Sequence, residues 1–233
     1  PVGLFYGYKT AGVFATDAEA KAACKDGYLY MEDNAGLRND FKAGDVHFID
    51  QNNDGKISEL DKVVIGDPNP DIYGNIFATI NYKNLTLTMG WNYSLGNDVY
   101  NYQRSILNSG STFYNQQVAE VAHWRYEGQQ TDLPRLAYGD PMGNNRFSDR
   151  WIEDGSYLRL KTLNLSYKVP VPGSWTWLQG LTVWAQANNL LTFTKYLGSD
   201  PEFSIGNGVL YQGIDCGNIA QGRSFQCGVK INL

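Results

Sequence analysis

The chain has 233 residues, of which 14% are aromatic, and a formal net charge of −5. That length allows one large all-β domain or two smaller domains with a substantial core. The acidic balance, with no basic block, predicts no nucleic-acid partner. Three scattered cysteines form neither a disulfide framework nor a zinc motif.

An oxygen-rich loop at residues 50–61 is the first motif with a chemical meaning. Oxygen donors occupy the alternating positions of a twelve-residue metal-loop template, and Gly55 stands at the sharp turn. The candidate ligands are Asp50, Asn52, Asp54, Lys56 through its carbonyl, Ser58 and Asp61. A hard cation needs about six to eight oxygens, so the pattern predicts calcium or magnesium. The alternative is an Asx-rich turn that orders itself without metal.

The segments on both sides of this loop have extended rather than helical character. Residues 43–49 and 62–65 favour strands, and two prolines follow at Pro68 and Pro70. The loop therefore lacks the flanking helices of an EF-hand. We expect the ion to brace a long segment that has no core of its own.

Residues 73–96 alternate between an apolar set and a second set that is polar or small except for Phe77. Lys83 and Asn84 supply a two-residue turn, which places the apolar sets of both arms on one face. That apolar set is Ile76, Ala78, Ile80, Tyr82, Leu85, Leu87, Met89, Trp91, Tyr93 and Leu95. The pattern predicts a β-hairpin.

The connection at 97–148 contains one stretch with helical spacing. Val118, Val121, Ala122 and Arg125 recur with that period within residues 115–127, which predicts a short amphipathic helix packed onto its own loop.

Enzyme motifs are poor throughout the chain. Asp149, Glu153 and Asp154 suggest paired carboxylates for glycan hydrolysis, but solvated loop charge is the favoured interpretation. We therefore expect a protein that is not an enzyme.

Three further strands are predicted at 156–169, 180–194 and 225–233. In the first, Leu158 and Leu160 are out of phase with Leu163 and the residues after it, which indicates a β-bulge. The last strand is apolar on one whole face. Either lipid or a protein core can cover such a face, and the pattern alone does not choose.

The connections alternate in length: two residues at 83–84, about fifty at 97–148, about ten at 170–179 and about twenty-six at 195–220. Short and long connections alternate in up-and-down outer-membrane barrels. If the long ones are extracellular, residues 1–72 are extracellular as well, and the last strand ends in the periplasm.

Several phrases of the sequence resemble one family. They are Gly44-Asp45-Val46, residues 64–71, residues 149–161, residues 188–196, Asp200-Pro201-Glu202 and Gly222-Arg223-Ser224-Phe225. Their order and spacing, across nearly the whole chain, are similar to those of the SusC-like TonB-dependent transporters of Bacteroidetes outer membranes.

This resemblance implies an all-β fold that is the C-terminal part of an antiparallel transmembrane β-barrel of about 22 strands. Residues 1–72 would be a strand end and a long extracellular loop with the calcium loop. Residues 73–233 would be barrel strands, in contact with outer-membrane lipid, with extracellular loops at 97–148 and 195–220. In family members the leader, the plug and the segment that contacts TonB precede the part that this chain matches. We therefore expect a fragment whose partner is the N-terminal plug and barrel portion, with TonB reached only through it.

Family members import oligosaccharides or peptides, and a SusD-like surface lipoprotein covers their extracellular mouth. By that resemblance the loops would line the mouth. The candidate stacking residues for cargo are Tyr100, Tyr102, Trp124, Tyr126 and Tyr211, with loop packing as the alternative role. The competing interpretation of the whole chain is a soluble extracellular calcium-dependent carbohydrate-binding β-sandwich.

Overall fold

A computed structural model describes residues 3–25, 27–33, 35–173, 177–202, 205–206 and 208–233. The chain divides into two compact units. The core unit comprises residues 1–68, 99–153 and 204–217, and the sheet unit comprises residues 69–98, 154–203 and 218–233. The predicted connections at 170–179 and 195–220 contain residues 174–176, 203–204 and 207, which lie outside the described part.

Strands dominate both units. In chain order they are β1 (Phe5–Gly7), β2 (Thr10–Val13), β3 (Tyr30–Glu32), β4 (Arg38–Asp40), β5 (Val46–Phe48), β6 (Val63–Gly66), β7 (Ile72–Tyr82), β8 (Leu85–Leu95), β9 (Asp98–Asn101), β10 (Ile152–Asp154), β11 (Tyr157–Val169), β12 (Gly180–Thr194), β13 (Ile214–Asp215) and β14 (Ser224–Asn232). The α-helices are α1 (Asp17–Ala22) and α2 (Tyr102–Leu107), and short 3₁₀ turns occupy Glu59–Asp61, Val118–Ala122, Asp149–Trp151 and Val209–Tyr211. Within the described ranges, no helix combines the length and the apolar character needed to cross a bilayer.

The sheet unit is built on one five-stranded antiparallel sheet in the order β7-β8-β11-β12-β14. Strands β7 and β8 form the predicted hairpin, and Lys83 adopts a φ of +53° in its two-residue turn. The predicted strands at 156–169, 180–194 and 225–233 are confirmed as β11, β12 and β14, with shifts of one residue at most at their ends.

The register of this sheet sorts its side chains by polarity. One row of directly paired residues across the five strands is Ile80, Leu87, Leu165, Ala185 and Cys227. The adjacent row is Thr79, Thr88, Asn164, Gln186 and Gln226. Successive residues of a strand point to opposite faces, so one face is apolar and the other polar.

The predicted β-bulge is confirmed between Leu160 and Thr162, where the pairing of β11 with both neighbours shifts. Leu160 pairs with Trp91 and Leu163 with Met89, and Trp91 and Met89 share one face of β8. The extra residue, Lys161, therefore returns Leu158 and Leu160 to the apolar face. Because the apolar residues of β11 change phase where the extra residue is inserted, they stay on one face of the sheet before and after the bulge.

The core unit has its own apolar centre, formed by Tyr8, Phe14, Ala20, Leu29, Phe41, Val46, Phe48, Ile57 and Met142. Short strand pairs surround it, β1 with β6, β2 with β5 and β3 with β4, and a separate sheet follows the order β10-β9-β13. The expectation that the segment around the metal loop lacks a core was therefore wrong. Apart from Val46 and Phe48, which share β5, the buried side chains come from separate short stretches, so no long local period predicts the core.

The predicted amphipathic helix at 115–127 is also wrong. The structure forms only the 3₁₀ turn Val118–Ala122, and Gln117 gives it no side-chain cap. Val118 and Val121 are 88% and 67% exposed. A stripe that packs against nothing gives a short helix too little stabilisation to propagate.

The backbone of Gly44 passes directly beneath the indole of Trp124. Gly44 has a φ of +85°, and a Cβ there would lie 2.5 Å from Trp124 Cε3. Gly128 has nearly the same φ, +88°, but nothing lies within 4 Å of its Cβ position. A substitution at Gly128 therefore measures the cost of the left-handed backbone alone, and a substitution at Gly44 measures that cost together with the steric clash.

We expect Gly128→Ala to cost about 1 kcal/mol of local stability, since only the left-handed backbone opposes a side chain there. Gly44→Ala should cost a further ~1–3 kcal/mol, because the new methyl group also meets the Trp124 ring. Native-state hydrogen exchange of the amides around each site in the intact protein measures both costs. Equal losses for the two variants would show that the ring contact carries no weight.

Candidate functional site

The amphipathic sheet is the largest candidate site of the chain. On its apolar face Ile80, Val229 and Phe225 are 54%, 59% and 71% exposed. Soluble monomers rarely leave so extended an apolar surface open to water. The described residues of the chain do not seal this face, as the core of a sandwich would require.

The opposite face carries hydrogen-bonding side chains that pair across strands. Thr86 Oγ1 donates to Asn81 Oδ1 at 2.7 Å, and Asn188 Nδ2 donates to Ser224 Oγ at 3.0 Å. Gln186 Nε2 donates to Asn188 Oδ1 at 2.9 Å. Because these groups satisfy one another and remain compatible with water, this face can line an aqueous passage.

A buried ionic cluster, which we call the Arg159 clamp, consists of Arg159, Lys161, Asp200 and Glu202. Arg159 Nη2 lies 2.5 Å from Asp200 Oδ1, Arg159 Nη1 lies 2.6 Å from Glu202 Oε2, and Lys161 Nζ reaches the same Oε2 at 3.0 Å. Arg159 and Asp200 are each 3% exposed. The clamp ties the connection after β12 to strand β11.

The electrostatics of the clamp favour its ionised form. Burial by itself would raise the pKa of Asp200, but hydrogen bonds from Arg159 and from the backbone N–H groups of Glu202 and Gln221 lower it overall. The two backbone bonds measure 2.9 and 3.0 Å. A buried charge with all its partners in place is tolerated, whereas one that loses a partner is costly.

The predicted metal loop folds around its own side chains. Asp50 accepts hydrogen bonds from the backbone N–H groups of Asn53 and Gly55, both at 2.7 Å. Asn52 and Asp54 each accept the N–H two residues further along, at 2.9 and 2.7 Å. Gly55 has a φ of +79°, the left-handed geometry that the template requires at this position.

Asp61 closes the loop. Its carboxylate is fully buried and accepts from Gln51 N at 2.9 Å and from Ser58 N at 2.7 Å. Ser58 and Asp61 together form a capping box for the following 3₁₀ turn. The side chain of Lys56 pairs with Glu32 at 2.7 Å, so only its carbonyl is a candidate ligand.

The donor set fits a hard cation in kind, since it consists of carboxylate, amide, hydroxyl and carbonyl oxygens. However, each carboxylate oxygen of Asp50, Asp54 and Asp61 already accepts a hydrogen bond from within the loop. Among the described residues, no group of three or more His, Cys, Asp or Glu side chains is arranged to hold a metal. The self-ordered turn therefore accounts for this fold without an ion, and the metal stays a prediction.

The five predicted stacking residues all belong to the core unit, and they differ in how much surface they offer. Tyr100 packs edge-on against Phe147 with ring centroids 4.7 Å apart, and Tyr102 packs against Tyr100 at 5.9 Å. Trp124 donates its indole N–H to the Ala15 carbonyl at 3.2 Å. Tyr102, Tyr126 and Tyr211 are 41%, 66% and 54% exposed. Of the five, only Tyr100 and Tyr102 are in ring contact with each other in the described structure.

Sequence reasoning missed a better exposed platform. Phe113 and Tyr138 stack with centroids 4.8 Å apart and an interplanar angle of 26°, although they are 90% and 75% exposed. They lie far apart within the connection at 97–148, and no sequence signal joins them.

The acidic residues near 150 hold structure rather than one another. Asp149 accepts the Thr10 hydroxyl at 2.6 Å. Glu153 accepts from Asn101 Nδ2 at 3.2 Å, and Asp154 accepts from the Ser156 backbone N–H at 2.9 Å. Hydrogen bonding from the Ser156 side chain, and then from this N–H, lowers the pKa of Asp154. Each carboxylate thus has its own structural partner.

Known proteins match the chain along its whole length. The TonB-dependent receptor P3 of Formosa agariphila is 32% identical over 239 residues, which cover 100% of this chain and 22% of that receptor. The TonB-dependent receptor SusC of Bacteroides thetaiotaomicron is 26% identical over 196 residues, 80% of this chain and 17% of SusC. The chain belongs to the SusC-like TonB-dependent receptors. It spans about a fifth of the length of the relatives it matches.

The fold agrees with this family. A solved structure of the RagAB peptide transporter matches 98% of this chain and 22% of that chain, with a TM-score of 0.68 and 23% identity. The predicted all-β antiparallel fold is confirmed. No protein-family model matches the chain. TonB-dependent receptors are outer-membrane proteins, so this SusC-like chain is assigned to the outer membrane.

The clamp yields a direct test in the intact SusC-like receptor. Arg159→Met should destabilise the connection around 200–221 by about 3–5 kcal/mol, because it leaves Asp200 buried and unpaired. The matched control is Arg38→Met, which removes an exposed pair with Asp40 and should leave stability nearly unchanged. Hydrogen exchange at residues 200–202 and 219–221 measures the effect.

The stabilisation that Asp200 contributes depends on pH. The folded-state pKa of Asp200 is lowered, so its stabilisation is present above the unfolded value, about 3.9, and is lost as pH falls through the folded value. Unchanged protection in Arg159→Met would contradict a stabilising role for the clamp.

Proposed function

We propose that this chain is a wall and surface-loop segment of a TonB-dependent outer-membrane importer for oligosaccharides or peptides, and that it is not an enzyme. The five-stranded sheet carries the proposal, because one face is apolar and open while the other is polar and internally hydrogen-bonded. Lipid covers the first face and the transport passage runs along the second. The open apolar face also argues against the soluble sandwich.

The ends of the strands support an orientation. Asn84 accepts a hydrogen bond from the Lys168 backbone, and Gly180 pairs with Asn232, so the tight turn and the end of β14 lie at the same end of the strands. The long connections leave from the opposite end of the strands. We place the first end in the periplasm and the long connections, with residues 1–72, outside the cell.

The partner we propose first is the rest of the same receptor. Strands β7 and β14 are the edges of the described sheet, and an unpaired edge in lipid leaves backbone groups without hydrogen bonds. Strands of the N-terminal plug and barrel portion would pair with them, and TonB would act only through that portion. We further propose a SusD-like surface lipoprotein at the extracellular mouth, in keeping with SusC and RagAB among the similar proteins.

Cargo contact is proposed for the exposed aromatic rings of the core unit. Tyr102, Tyr126 and Tyr211 offer ring faces for sugar or peptide side chains, whereas Tyr100 and Trp124 support the loop by packing. The stacked pair of Phe113 and Tyr138 joins this set.

We retain calcium, with magnesium as the other candidate, as a proposed ligand of the loop at 50–61. Support comes from the oxygen-only donor set and from the left-handed Gly55 at the turn. The ion would brace an extracellular loop and would take no part in chemistry.

The wall proposal is tested by one lysine placed on either face of β14. Val229→Lys should lower the amount of folded receptor in the outer membrane, since a lysine in the hydrocarbon costs about 2–4 kcal/mol near the midplane. Gln226→Lys, on the polar face of the same strand, should be tolerated and should keep TonB-dependent uptake. For both variants, the heat-modifiability of the barrel on gels measures the amount of folded receptor, and whole cells are used to measure uptake. Equal tolerance of the two lysines would remove the basis of the proposal.

The metal proposal is tested by calorimetric titration of calcium into the purified receptor. Asp50→Ala combined with Asp54→Ala should abolish binding and increase protease cleavage within 44–66, while the wall stays folded. The control is Asp33→Ala, which disrupts an Asx turn outside the motif and should leave calcium binding unchanged. If calcium produces no binding heat with the wild type and chelators leave its protease cleavage pattern unaltered, the self-ordered turn is the correct interpretation.

A further inference from the structure

A polar cavity of about 580 Å³ lies within the core unit, a size that suits a small solute. Its charged lining is balanced: the basic residues are Lys56, Lys62 and Arg146, and the acidic residues are Glu32, Asp33 and Glu59. The use of each charge decides what the cavity can bind.

Two of the three cations are already neutralised. Lys56 Nζ lies 2.7 Å from Glu32 Oε2, and Lys62 Nζ lies 2.5 Å from Glu59 Oε2. The Tyr8 hydroxyl also donates to Glu59 Oε1 at 3.3 Å. Glu32 and Glu59 are therefore engaged with other groups.

Arg146 differs from these lysines. In the described part of the chain it forms no ion pair with a carboxylate, and its Nη2 contacts the Met31 sulfur at 2.7 Å. Its guanidinium stands 5.4 Å from the ring centre of Tyr8 and 5.5 Å from that of Phe48. Burial lowers the pKa of Arg146, and the charges of Tyr8, Asp140 and Glu59 oppose this shift in part.

A guanidinium has five N–H donors in a planar fork, and a thioether sulfur is a weak acceptor for them. A buried arginine normally meets a carboxylate or phosphate, because the fork matches two oxygens at once. The ring faces of Tyr8 and Phe48 hold the Arg146 group in place. The donor edge is thus positioned in advance and incompletely satisfied.

We propose that Arg146 binds the carboxylate of a small solute that occupies this cavity. A singly charged carboxylate suits the site better than a phosphate dianion, since three acidic side chains form part of the same lining. Phe147 and Ile57 supply apolar contact for the solute body. Asp33 uses Oδ1 for two backbone N–H groups at 2.9 Å, which leaves Oδ2 to accept a hydroxyl or ammonium group.

Two sources share this chemistry: an acidic sugar with a uronate carboxylate, and a peptide with a free C-terminus. Binding itself follows from the cavity and does not require transport. Only the identification of the bound solute as cargo rests on the proposed function.

The experiment is calorimetric titration of the intact, detergent-purified receptor with four probes. They are a uronic-acid disaccharide, its neutral reduced counterpart, a tripeptide with a free C-terminus and the same tripeptide as its amide. We expect one carboxylate probe to bind at least about tenfold more tightly than its neutral counterpart. The pair that shows this difference identifies the source.

Variants assign the effect to Arg146. Arg146→Gln should lower the affinity for that carboxylate probe about tenfold or more, and Arg146→Lys should lower it less, since lysine keeps the charge without the fork. Arg125→Gln, at an exposed arginine outside the cavity, should bind like the wild type. Thermal unfolding and hydrogen exchange at residues 46–48 show whether each variant is folded. If Arg146→Gln does not fold, the affinity of Arg146→Lys for the carboxylate probe is the test.

Two results would overturn the inference: carboxylate and neutral probes that bind alike, or Arg146 variants that fold and keep wild-type affinity for the carboxylate. Uptake is not a readout here. A receptor that binds the carboxylate and does not import it would refute the identification of that solute as cargo and leave this binding site standing.

Discussion

The pairing register of the five-stranded sheet decides on which face each of its side chains lies. Val229 pairs with Val183, and Lys230 with Thr182, so apolar residues meet apolar ones across β12 and β14. A slip of one residue would move Lys230 to the apolar face and Val229 to the polar one. The single extra residue at Lys161 obeys the same rule, because without it Leu158 and Leu160 would face the polar side.

The bulge also explains where the ionic clamp sits. Lys161 at the bulge and Arg159 two residues earlier both reach Glu202, which belongs to the connection after β12. A wall that must keep one face apolar can place buried charge only on its other face, and there each charge needs its partners. The irregular point of the sheet is therefore also its attachment point for a long connection.

Sequence reasoning succeeded where structure follows a local period. The hairpin, the three later strands and the bulge all follow from alternation along the strand and its single break. It failed where structure depends on distant residues. The helix at 115–127 had the spacing but no surface to pack against, and the core unit draws Phe14, Phe48 and Met142 from segments without periodicity.

The candidate sites divide in the same way. The loop at 50–61 is visible in sequence because all its oxygens are local, whereas the partners of Arg159 lie 41 and 43 positions away. The stacked rings of Phe113 and Tyr138, and the contact of the Arg146 guanidinium with the Tyr8 and Phe48 rings, emerge only when the chain is folded. Local order could be derived from the sequence, and convergence of distant groups could not.

The most direct measurement of the central claim is spin-label accessibility along β14 in the receptor reconstituted in lipid. Labels placed one at a time at residues 225–231 would be tested against oxygen, which partitions into hydrocarbon, and a water-soluble nickel chelate. A strand with one face in lipid should show a period of two, with high oxygen accessibility at Phe225, Cys227, Val229 and Ile231 and low values between them. Uniform accessibility, or protection of Val229 from both reagents, would contradict it.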